Sequence, residues 1–163
     1  MMKKIIVSTF IFALLFTVSN EAKAQNYNTA LGLRFGGTSG VTFDKGHFEG
    51  ILGFWGNGFS VTALHVNYAT AFETPELNWF YGYGGHVAFF NNGNPGNNYG
   101  RGDRRYDDST VGFGVDGIIG LEFKPNEIPF AFSFGLKPFL EIDTNGNFYG
   151  APDPAIGIKY IIN

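Results

Sequence analysis

The chain has 163 residues, enough for one domain, with 11 basic and 14 acidic residues and a formal charge of −3. That acidic balance argues against a nucleic-acid partner, and the lack of any cysteine excludes a disulfide framework. Glycine (24), phenylalanine (19) and tyrosine (8) are abundant, a composition that favours strands and turns.

The first segment, "MMKKIIVSTFIFALLFTVSNEAKAQ", has a basic start at Lys3 and Lys4, an apolar run from Ile5 to about Val18, and "AKA" at Ala22–Ala24. These are the three regions of a secretory signal peptide. Residues 1–24 are expected to be a cleaved signal and residues 25–163 a single domain. The apolar run falls short of the roughly 20 residues of a membrane helix. No cysteine follows it to carry a lipid. Setting aside Lys3, Lys4, Lys23 and Glu21 leaves 8 basic and 13 acidic residues, a net of −5. No later segment reaches about 18 apolar residues, so a membrane form of the domain could only be a closed barrel.

Eight strands are expected after the signal. The first spans Thr29 to Gly36, with Leu31, Leu33 and Phe35 on one face and Gly32 and Arg34 on the other. "GTSG" turns it into a short second strand near Val41–Lys45. "HFEGILGFW" is the third, with Phe48, Leu52 and Phe54 opposite Glu49, Ile51 and Gly53. "GNG" at Gly56–Gly58 is a hairpin signal. It leads into "FSVTALHV", whose far end the alternation does not fix. "LNWFYGYGGHVAFF" is the fifth strand: Trp79, Tyr81, Tyr83, Val87 and Phe89 share one parity, while Asn78, Gly82, Gly84 and His86 share the other. A long polar stretch then leads to "VGFGVDGIIGLEFK", which sets Val111, Phe113, Val115, Ile119, Leu121 and Phe123 against Gly112, Gly114, Asp116, Gly120, Glu122 and Lys124. The turn "KPNEIP" opens "FAFSFGLKPFLE", with four large apolar residues opposite Ala131, Ser133, Gly135 and Lys137. "AIGIKYIIN" closes the chain.

One face of most segments is continuously apolar or aromatic; the other holds glycine, small polar residues and isolated charges. A soluble sandwich would place Lys, Glu, Thr and Gln on its polar face. Lipid outside and a cramped polar interior suit this pattern better, and several strands have the length a bilayer requires. The expected fold is therefore all-β: an eight-stranded, antiparallel, up-and-down transmembrane β-barrel. Eight strands leave an interior that side chains can fill, which disfavours a water-filled pore. At the C-terminus, Gly157, Tyr160 and Ile162 have the spacing of an outer-membrane assembly signal, with Ile162 where an aromatic residue usually stands.

"TALGLRFGG", "FEGILGFWGNGFSVTALH", "LNWFYGYGGHVAFF", "GVDGIIGLEFKPNEIPFAFSFGLKPFLE" and "IGIKY" together resemble the small outer-membrane β-barrel proteins of Bacteroidetes, distantly similar to the OmpA and OmpX barrels. The resemblance spans almost the whole domain. It implies a monomeric barrel in the outer membrane of a Gram-negative bacterium, with both termini periplasmic and no catalytic residue carried over. Its implied partners are outer-membrane lipid and lipopolysaccharide, the barrel-assembly machinery during insertion, and an unidentified surface ligand.

In that orientation the long outer loops would be 91–110 and 143–154, carrying a structural or surface-interaction role. The first contains "RGD" at Arg101–Asp103, weak as an adhesion motif. Tyr99, Arg101, Asp103, Arg104, Arg105 and Tyr106 are candidate contacts to lipopolysaccharide phosphates or a glycan. "DTNGN" at Asp143–Asn147 is a partial calcium loop without the closing Glu, and reads as a plain turn. The stretch "ATAFETPEL" would be a long periplasmic connection. Arg34, Glu49, His86, Asp116, Glu122, Lys137 and Lys159 all point to the lumen, where unpaired charge is costly, and are expected to form a paired network. His86 should come near Asp116, and Asp116 near Lys137. No cofactor or metal is expected. The alternatives are a narrow channel or carrier of a small hydrophobic ligand, and a lipid-modifying acyl-transfer enzyme built on His86 and Asp116.

Overall fold

A computed structural model describes residues 28–91 and 109–162. The expected signal peptide and the candidate contacts Tyr99, Arg101, Asp103, Arg104, Arg105 and Tyr106 lie outside the described residues. Ten strands follow in order: β1 (Thr29–Gly36), β2 (Ser39–Lys45), β3 (Phe48–Trp55), β4 (Gly58–Ala71), β5 (Thr74–Phe90), β6 (Thr110–Phe123), β7 (Phe130–Leu136), β8 (Phe139–Asp143), β9 (Phe148–Ala151) and β10 (Pro154–Ile162).

The ten strands make eight staves. Strand β6 pairs with β7 from Phe123↔Phe132 to Ile119↔Leu136, and with β8 from Asp116↔Phe139 to Gly112↔Asp143, with no slip of register between them. Pro138 separates the two pieces because it has no N–H to give the ladder, although its carbonyl still accepts from the Gly117 N–H at 2.8 Å. Strands β9 and β10 likewise continue one another, interrupted at Pro152 and Asp153, where Asp153 has φ 40°. Each stave pairs antiparallel with its neighbours in sequence. The β1–β10 and β5–β6 ladders complete the ring. The result is a closed eight-stranded antiparallel β-barrel, as the alternation requires: a sheet with one glycine-rich face buries that face by curling on itself.

Two connections depart from the sequence reading. Strand β4 runs on to Ala71 and β5 begins at Thr74, so "ATAFETPEL" is mostly strand. Its turn is only Phe72–Glu73, with φ 52° and 56°. The expected outer loop 143–154 is largely a hairpin: β8 and β9 pair from Phe139↔Ala151 to Ile142↔Phe148. Only residues 144–147 turn, with Gly146 at φ 79° supplying the left-handed step that glycine adopts without steric cost. Phe148 and Tyr149 continue the alternation after the turn, one exposed and one buried, which short spacing from two prolines obscured in the sequence.

The faces divide as expected. Leu31, Leu33, Phe35, Phe54, Val61, Phe113, Val115, Phe134 and Ile156 are exposed on the outside, while Arg34, Glu49, His86, Asp116, Glu122, Lys137 and Lys159 are buried inside. We refer below to the terminal end, where β1 begins and β10 ends, and to the opposite loop end.

Candidate functional site

The lumen is packed in layers. Near the loop end, Ala88, Phe90 and Tyr149 pack together with Trp55 against them, the Trp55 and Phe90 rings 5.5 Å apart. Ile51, Leu64, Val66, Tyr68, Phe80 and Ile118 form a second apolar cluster. Ala30, Ala131 and Ile161 form a third at the terminal end. Two ionic groups are interleaved with these clusters.

The larger group centres on His86. Its Nδ1 lies 2.7 Å from Asp116 Oδ2 and its Nε2 lies 2.7 Å from Glu141 Oε2. Two such contacts need two protons, so the Asp116–His86–Glu141 row holds one proton more than a neutral imidazole between two carboxylates. Lys137 Nζ donates to Asp116 Oδ1 at 2.9 Å and sits 3.3 Å from Asp153 Oδ2. Arg34 reaches the same Asp153 oxygen at 3.4 Å, while its Nη2 donates to the Asp153 carbonyl and its Nε to the Thr38 carbonyl. The Thr38 N–H donates to Asp153 Oδ1 at 2.8 Å, which folds the β1–β2 turn over the lumen. Counting His86 as imidazolium, three cations meet three carboxylates among the described residues. Phe139 presents its ring edge-on to His86, and Lys137 Nζ lies 5.2 Å from the same ring.

Glycine makes this density of side chains feasible. Gly114 is the direct partner of His86 on β6, and a Cβ there would collide with the His86 ring. A Cβ on Gly112 would come within 2.9 Å of the Glu141 carboxyl carbon. The Phe80 ring similarly occupies the space above Gly120 and Gly135. At Gly112, Gly114, Gly120 and Gly135 the missing Cβ is therefore the space of a charged or aromatic side chain opposite.

Among the described residues, the second group has one cation. Lys159 Nζ donates to Asp44 Oδ1 at 2.8 Å and lies 3.7 Å from both Glu49 Oε2 and Glu122 Oε2. Arg34, Thr42, Glu49, Ser133 and Lys159 line a cavity of about 20 Å³ between the two groups.

All seven residues expected in the lumen are buried there, and the contacts of His86 and Lys137 with Asp116 are present. They fall into two groups, however, with Glu49, Glu122 and Lys159 apart from the rest. The sequence reading missed Asp44, Glu141 and Asp153. Glu141 shares parity with Lys137, and Asp44 with Thr42, so inward direction was available for both. Asp153 stands between two prolines and carried no such signal.

"DTNGN" is a closed turn. Asp143 Oδ1 accepts from the N–H groups of Asn145 and Asn147, and Oδ2 accepts from Asn147 Nδ2 and the Tyr149 hydroxyl. Burial pushes this carboxyl up, but those donors, led by the Asn147 side chain, outweigh it and hold the group below the usual carboxylate range. Among the described residues, no three His, Asp or Glu side chains are placed to hold a metal ion. In the expected assembly signal, Tyr160 and Ile162 face outward and Tyr160 meets the Phe130 ring edge-on, while Gly157 faces Ser133 inside.

The molecule is thus an inside-out β-barrel, apolar without and ionic within. No protein-family model matches the chain, and no curated protein or solved structure matches it.

Proposed function

We propose that this protein is a small integral outer-membrane barrel whose lumen is plugged, with a structural or surface-interaction role and no transport or enzymatic one. One observation carries the reading. Along the described strands, the Lys, Arg, Asp or Glu side chains that are not buried are Lys45 and Glu76, both at the terminal end, while eight such residues of the strands, with Lys137 and Asp153 between strands, are buried inside. Burying a Val, Leu, Ile or Phe side chain is worth about 1.5–3 kcal/mol, and this belt recovers that gain only against lipid. Outward rings at both ends of a stave, with aliphatic or small residues between, add support. Phe48 and Phe54 do this on β3, and Phe113 and Phe123 on β6. Such girdles mark the two interfaces of membrane barrels.

The role through outer connections rests on the one between β5 and β6, because the other expected loop is a hairpin. Lipid and lipopolysaccharide would surround the barrel, and the barrel-assembly machinery would insert it. Reconstitution tests the reading. The folded protein is expected to migrate differently from the boiled protein on a gel, to fractionate with the outer membrane, and to give no steady current across a planar bilayer. Recovery as soluble periplasmic material would refute the membrane location, and steady conductance would refute the plug.

A further inference from the structure

The β4–β5 turn is built from residues that do not suit it. A two-residue hairpin with positive φ at both central positions is normally made by Asn-Gly or Asp-Gly. Here Phe72 has φ 52° and Glu73 has φ 56°. For a bulky residue this conformation is an outlier that persists only when the surroundings impose it or the side chain is needed there. Little in the protein imposes it. Phe72 is 71 % exposed, the largest exposure among the exposed large apolar residues. Its protein contacts include the Trp79 ring, 5.7 Å away and tilted by 53°, and its carbonyl accepts from the Thr74 hydroxyl at 3.3 Å.

The contact with Trp79 gives the ring its direction. Trp79 stands on the outward face of β5, so Phe72 also lies on the outside, beyond the last ladder pair of the hairpin, Ala71↔Thr74. It extends an aromatic row of Tyr83, Tyr81 and Trp79 toward the terminal end. A register shift between Thr70 and Ala71 places Pro75, Glu76 and Leu77 in a bulge. There the Glu76 carbonyl accepts from Lys124 N–H and its carboxylate from Asn126, which ties the hairpin base to the β6–β7 connection. The base is fixed and the tip carries an apolar ring into the surroundings.

We propose that Phe72 is an interfacial anchor that inserts into the headgroup boundary of the phospholipid leaflet at the terminal end. The partner is the lipid surface itself, recognised by an amphipathic tip: an apolar ring at Phe72 and a carboxylate at Glu73 that stays in water. The left-handed turn is the conformation that puts Phe72 beside Trp79. This inference rests on the membrane reading above.

Single-tryptophan proteins in phosphatidylcholine vesicles with acyl chains brominated near the headgroup separate the two. The reporter at position 79 is obtained with Trp55→Phe, and the reporter at position 72 with Phe72→Trp in a Trp55→Phe, Trp79→Phe background. Quenching of both is expected. Quenching at 79 without quenching at 72 overturns the anchor and leaves the membrane reading standing; quenching at neither overturns both. A second variant guards against perturbation by the new indole. Glycine suits a positive φ, so Phe72→Gly is expected to keep or raise stability in detergent micelles. In vesicles it is expected to lower the folding equilibrium constant roughly tenfold, from the lost apolar burial. Equal or greater stability in vesicles would overturn the anchor.

Discussion

His86 and Asp116 meet on a diagonal of the β5–β6 ladder. The direct partner of His86 is Gly114 and that of Asp116 is Gly84, yet Nδ1 and Oδ2 come within 2.7 Å, with the His86 ring lying in the space that a side chain at Gly114 would take. With Glu141 on the far nitrogen, the imidazole joins three consecutive staves. Replacing His86 by Leu leaves Asp116 and Glu141 facing an apolar side chain. The loss is expected to be about 3–5 kcal/mol, the usual cost of breaking a buried ion pair. Urea unfolding in vesicles measures it, and Glu141→Gln in the same background should restore part of the loss.

Lys159 and Glu49 should respond in opposite directions. Lys159→Met removes the cation that faces Asp44, Glu49 and Glu122, and is expected to cost about 3–5 kcal/mol or to prevent folding. Glu49→Gln removes one of three carboxylates sharing that cation, and Glu49 lies 3.7 Å from it. Its stability should equal or exceed that of the wild type in the same unfolding assay. A large loss in Glu49→Gln would mean that the carboxylate has a further partner.

Gly114→Ala tests whether glycine was placed for room. The new methyl would occupy the space of the His86 ring. An overpacking cost of about 1–3 kcal/mol is expected, with the histidine ring resonances of His86 displaced in an NMR spectrum of the micellar protein. Gly50→Ala, on the outer face, is the control: its nearest neighbour would be the Phe48 ring at 3.3 Å. It should cost less.

Acid should loosen the β8–β9 turn. Asp143 is held below the usual carboxylate range, so its ionised form stabilises the folded turn. A lowered folded-state pKa gives a contribution that is present above the unfolded value of about 3.9 and disappears as pH falls through the folded value. Amide exchange at Asn145 and Asn147 is expected to show less protection on acidification below about pH 4. In Asp143→Asn protection is expected to be lower at neutral pH and to vary little over the same interval.

Much of the barrel was legible because alternation is a local property of extended backbone. Strand β1 falls on Thr29–Gly36, and the inward direction of Arg34, Glu49, His86, Asp116, Glu122, Lys137 and Lys159 follows from parity alone. The two connections were read as longer than they are. Phe72–Glu73 lacks the residues that usually make a tight turn, and the prolines at 152 and 154 hid a strand whose ladder resumes on either side of Asp153.

The sequence by itself determined most of the strands and which way their side chains face, since a period of two needs no knowledge of neighbours. Only the tertiary structure decided which charges meet. Whether His86 finds Asp116, and whether Glu141 or Asp153 joins them, depends on register between staves and on the closure of β1 on β10. A shift of two residues would leave every face unchanged and dissolve each pair, because facing is set within a strand and pairing between strands.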